Sequence, residues 1–171
     1  MALTYTAIAT VTVGSGGAAN IVFDNISASY TDLLLYLSGR SDRASTDGDN
    51  WTLALNDSTS NFTYRLLYGD GSAAASINGT NSNSPYLSSA NQTASTFGNV
   101  LAYIPNYAGS NNKSISVDGV SETNATTAYM GLSALLWSNS AAITKITLGV
   151  ANGTKYLQYS TATLYGIKNT V

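Results

Sequence analysis

The chain has 171 residues, a formal net charge of −2 and only 9 % charged side chains, against about 25 % in an ordinary globular domain. It contains no cysteine and no histidine. That removes disulfides, thiol nucleophiles, Cys- or His-held metals and the Ser–His–Asp triad. Seven Lys plus Arg scattered along the chain cannot neutralise a row of phosphates, so nucleic-acid binding is not expected. Ser, Thr and Asn make up more than a third of the residues, while 44 % are hydrophobic and 12 are Tyr. This composition suits one sheet-rich domain spanning 1–171 with uncharged polar loops.

The segment Thr4 to Val13 alternates polar and apolar residues, the period of a half-buried strand. It reads as a first strand or a contact arm (residues 1–13). The alternation does not resemble a secretory signal, and no run approaches the ~20 apolar residues of a membrane helix. Folding in the compartment of synthesis is therefore expected. Gly14-Ser15-Gly16-Gly17 is a turn, and Ile21-Val22-Phe23 resumes as a strand, which predicts an opening hairpin. Leu33 to Leu37 is a continuous apolar run, expected to be a strand covered on both faces.

Gly39 to Asn50 is a polar loop, followed by strands at Trp51–Leu55 and Phe62–Tyr68. Residues 72–95 are small and polar and read as one long loop, with a short strand or helical turn at Tyr86-Leu87. Further strands are expected at Val100–Ile104 and Ser114–Val120. Ala128–Trp137 reads as a buried strand kinked at Gly131. Strands at Ile143–Leu148 and Tyr156–Ile167, as one or two, complete the chain. Nine to ten short strands with no convincing helix predict an all-β antiparallel sandwich, jelly-roll-like.

Few residues could carry chemistry. Asp42, Asp47 and Asp49 are the weak candidates for a cation site, because several carboxylates in a Gly-containing loop can supply oxygen ligands. Arg40 and Arg43 beside them favour an Arg–carboxylate network instead. Asp70, Asp118 and Glu122 could be imagined as a glycosidase pair. The sequences Asp70-Gly71 and Asp118-Gly119 are better explained as turns. No catalytic residue and no cofactor are expected. Tyr107, in a loop, is the aromatic most expected at the surface. Tyr5, Tyr86 and Leu87 join it as contact candidates.

Several segments resemble short signatures of small Ser/Thr/Asn-rich virion structural proteins of tailed bacteriophages, including those of cyanobacteria. These are Ser38-Gly39-Arg40-Ser41-Asp42-Arg43-Ala44, Tyr68-Gly69-Asp70-Gly71-Ser72 and Tyr103 to Ser114. Leu136-Trp137-Ser138-Asn139 and Gln158 to Ile167 fit the same pattern. The resemblance implies a β-sandwich without catalytic residues. With the charge-poor composition it leads to the expectation of a capsid decoration, or cement, protein. Such a protein would fold in host cytoplasm and sit on the outer capsid as a homotrimer. Its partners would be its own copies and the major capsid protein lattice. The alternative expectation is a glycan- or receptor-binding module of a tail fibre or baseplate.

Overall fold

The structure, a computed structural model, describes residues 4–82, 84–124 and 127–168. It is all-β, with twelve strands among the described residues in two antiparallel sheets. The strands are β1 (Thr4–Thr12), β2 (Asn20–Phe23), β3 (Asp32–Gly39), β4 (Asp49–Leu55), β5 (Phe62–Gly69) and β6 (Ala74–Gly79). They continue as β7 (Ser84–Leu87), β8 (Gly98–Ile104), β9 (Lys113–Glu122), β10 (Ala128–Trp137), β11 (Ile146–Val150) and β12 (Thr161–Lys168). Eight strands form one sheet in the order β1-β12-β3-β8-β9-β10-β5-β6. Four form the other, in the order β2-β11-β4-β7.

The alternation of β9 shows how the large sheet is built. Lys113, Ile115, Val117, Gly119 and Ser121 point inward and are buried, while Ser114, Ser116, Asp118, Val120 and Glu122 point outward. Between the sheets, the core includes Trp51, Phe62, Trp137, Tyr156, Leu33 and Leu164. Phe62 and Trp137 stack with ring centroids 6.2 Å apart. The small sheet does not reach the β5–β6 edge. Ile77, paired with the inward Leu66, is therefore exposed.

The small sheet is seated through β7. A Cβ on Gly119 would lie 2.3 Å from the Pro85 carbonyl oxygen, and one on Gly98 2.9 Å from the Tyr86 carbonyl oxygen. The Pro85 ring lies against Gly131, the cross-strand partner of Gly119. These glycines form a trough across β8, β9 and β10 in which the backbone of β7 lies. The pairing register of β10 runs unbroken through Gly131, so this glycine accommodates Pro85 and does not kink the strand.

Other differences from the sequence reading have local causes. The Gly14–Gly17 turn forms, with Gly17 at φ +74°. However, it carries the chain from one sheet to the other, so β1 pairs with β12 and β2 with β11, and there is no opening hairpin. The 72–95 loop contains β6 as well as β7. Ala74 to Asn78 is exposed on both faces and so lacks the alternation that marks a strand. Strand β11 starts at Ile146, because Asn56 organises the preceding residues: its side-chain oxygen accepts from the Thr144 and Lys145 N–H groups. Tyr156 is buried in an isolated bridge, and the last strand starts only at Thr161. Asp118-Gly119 lies inside β9 and is not a turn.

The trough makes a quantitative statement about Gly119. Gly119→Ala should lower stability by ~1–3 kcal/mol in urea denaturation, the usual cost of overpacking against a backbone that cannot yield. Ser116→Ala, outward on the same strand, should stay within about 0.5 kcal/mol of the parent.

Candidate docking face

Of the two strands that read as buried runs, β3 is covered on both faces as far as Leu35 and opens only at Tyr36 and Ser38, whereas β10 is covered on one face only. In β10, Leu135 and Trp137 are buried, while Met130, Leu132 and Leu136 are exposed. In β3, Leu33, Leu35 and Leu37 enter the core and Tyr36 stands outside. Register places the outward residues in rows across the sheet. One row runs Thr163, Tyr36, Leu101, Asp118, Leu132, Leu67, Ser76. The next runs Tyr165, Leu34, Tyr103, Ser116, Ala134, Arg65, Asn78.

The result is a face with an exposed apolar cluster on β5, β9 and β10, bordered by Ser, Thr and Asn residues and by Arg65 and Asp118. Leu67 is 61 % exposed and Leu132 47 %. Shallow grooves of about 430 and 480 Å³ flank them. At the other side, Tyr36 meets Tyr165 edge to face at 5.9 Å, and these two line a third hollow with Tyr5 and Leu34. Tyr103 donates its hydroxyl to Asp32 at 2.8 Å, and burial, followed by that bond, pushes its phenol pKa up. The outer side of the small sheet differs: among its described residues, Val22 is the only large hydrophobic that is strongly exposed.

The expected contact residues separate. Tyr5 is exposed and belongs to this face. Tyr107 is fully buried, correcting the expectation of a surface loop aromatic; its hydroxyl donates to the Ser27 carbonyl. Its loop folds over the end of the core, where the aromatic ring is the largest available filler. Leu87 is also fully buried, because β7 turns it into the space between the sheets. Tyr86 is half-buried and packs on Tyr129 with centroids 5.7 Å apart. Burial, aided by the nearby Tyr68 and Asp70, raises the Tyr86 phenol pKa.

The three loop aspartates serve separate partners. Buried Asp49 accepts from the Asn152 and Gly153 N–H groups at 3.2 and 3.0 Å. Asp42 accepts from Thr154 and Lys155; burial opposes its ionisation, but these bonds outweigh it and hold the carboxyl below its ordinary range. Asp47 accepts from Asn91. Among the described residues no group of three or more His, Cys, Asp or Glu could hold a metal ion.

Among the described residues the one Arg–carboxylate pair is between Arg43 and Asp49, at 3.9 Å. Arg40 instead donates to the carbonyls of Thr93, Gln92 and Thr96 at 2.7, 2.9 and 3.0 Å. It thereby pins the 89–97 segment to the end of β3. Neither this internal use of Arg40 nor the outward exposure of β10 carries a sequence signal of its own.

Comparison with protein-family models, with curated proteins and with solved structures finds no match.

Asp70 holds the turn that leads into β6, the edge of this face. Its carboxylate accepts from the Ala73 and Ser72 N–H groups at 2.9 Å each. These bonds lower its pKa to about 2. A depressed folded pKa means the bonds are at full strength above the unfolded value of about 4 and are lost as pH falls through about 2. An NMR carboxyl titration should place Asp70 at about 2. Amide exchange in the β5–β6 turn should accelerate over the same range, and Asp70→Asn should abolish that pH dependence.

Proposed function

We propose that this chain is a non-enzymatic structural protein of a bacteriophage virion, a capsid decoration protein that acts through protein–protein contact at the open face of its large sheet. The observation that carries the reading is that β10, apolar on both faces, is covered on one face only, with Leu67 and Val120 exposed on the strands beside it. Contiguous apolar surface of this extent marks an interaction site. Apart from Arg65 and Asp118, the outward residues of its two central rows are uncharged, in keeping with the charge-depleted core of an interface. Absence of cysteine means that no oxidising compartment is needed, which suits folding in host cytoplasm and assembly onto the outer head. A decoration protein stabilises the head by binding the assembled lattice in preference to its free subunits.

Quantifying the chain in purified virions tests this. Copies in proportion to the major capsid protein are expected, and Leu132→Asp, at the centre of the open face, should lower the number of copies retained on the head by about tenfold or more. A chain absent from virions would sink the proposal.

The Tyr86–Tyr129 pair favours one second reading, a glycan-binding module at the tail. Both rings are partly exposed, with Asp47 and Asp70 close enough to raise the Tyr129 phenol pKa beyond the effect of burial. Under that reading the chain occurs in tail-like copy number, and a glycan array gives hits that Tyr129→Ala removes. An array without hits overturns it.

A further inference from the structure

We propose that the first partner of the open face is a second copy of this chain, packed face to face about a two-fold axis, with Arg65 of one protomer against Asp118 of the other. The inference rests on reading this face as a protein docking surface, and it names the occupant.

Size is the first argument. Eight strands about 4.8 Å apart make a face about 34 Å wide, and three to four outward residues per strand make it about 20 Å tall. That gives roughly 700 Å² per copy. Complete overlap of two copies would bury at most ~1,400 Å², in the lower part of the ~1,200–2,000 Å² range of specific interfaces. A second sheet of the same twist is also the natural complement of a twisted sheet, since aligned sheets interdigitate side chains across ~10 Å.

Charge is the second. Arg65 and Asp118 are the charged residues in the two central rows, on β5 and β9, one to each side of β10. They have opposite sign. Asp118 has no hydrogen-bond or ion-pair partner among the described residues. Arg65 donates only to the carbonyl of its neighbour Tyr64, at 2.8 Å. A two-fold contact requires that if residue i meets residue j, then j meets i. One exposed cation and one exposed anion satisfy that condition twice per dimer. The other outward acids lie towards the strand ends: Glu122 closes β9, and Asp32 is buried and taken up by Tyr103 and Asn106. Face-to-face packing of identical faces is two-fold, so it implies a dimer and not the trimer suggested by the family resemblance.

Sedimentation velocity on the full chain tests this. A dimer mass is expected, reverting to monomer with Leu132→Asp. Arg65→Asp should weaken association about tenfold, and the double variant Arg65→Asp with Asp118→Arg should restore it. All these side chains point outward, so circular dichroism should be unchanged, and Val22→Asp on the opposite sheet should leave the dimer intact. A monomer at ~100 µM would be weaker than a standard interface allows and would overturn the proposal. So would a trimer, or a dimer indifferent to Leu132→Asp and to the charge exchange. A monomer that still decorates capsids defeats this inference and leaves the decoration reading standing. A dimer absent from virions does the reverse.

Discussion

The two sheets are held together by one close approach. Where β7 crosses the large sheet, Gly98, Gly119 and Gly131 present no side chains, and Pro85 and Tyr86 occupy the space. Sheets normally face each other across two layers of interdigitated side chains, about 10 Å apart. At this crossing one backbone lies on another. The rest of the small sheet takes its position from that contact, because β4 pairs with β7 and β11 with β4. Trp51 adds to the anchorage by donating its indole N–H to the Pro85 carbonyl at 3.2 Å.

That seating has a second effect. The small sheet lies to one side of a sheet twice its strand number, so one whole face and the β5–β6 edge remain outside the core. The chain has few charges with which to clothe what is left over. Two of its cations are internal: Arg40 and Lys113 are buried and hydrogen-bonded to backbone carbonyls. The outward face is therefore apolar for two linked reasons, the asymmetry of the layers and the use of scarce charges to fasten loops.

Much of the fold was legible in the sequence. The alternation of β4 and β9 and the turn glycines told a sandwich from a helical protein. Pairing was not legible, because a turn such as Gly14–Gly17 reports a reversal without saying which sheet receives the next strand. Strand β6 escaped because Ala, Ser and Asn exposed on both sides show no periodicity. The open face was hidden for an instructive reason. Leu33 to Leu37 is buried on both faces except at Tyr36, but Ala128 to Trp137 has the same composition and is open on one face, because hydrophobicity alone does not distinguish burial within a fold from burial against a partner. Tyr107 and Tyr5 show the limit for single residues. Loop position suggested exposure for a ring that fills the core end, while the strand residue Tyr5 stands in solvent.

The pairing of β1 with β12 also bears on how the molecule folds. Thr4 lies opposite Lys168, and β12 is in turn the neighbour of β3. Half of the large sheet therefore depends on contacts between distant parts of the chain, a topology that folds in milliseconds to seconds where local topologies take microseconds. By contrast β8, β9, β10 and β5–β6 are joined largely to sequence neighbours. The meander β8-β9-β10 can form while the last strand is still being synthesised, and β1 can only wait for it. Until then one edge of β3 is unpaired, and the segment before Val13, uncharged and rich in β-formers, waits without the charges that usually keep unpaired strands apart.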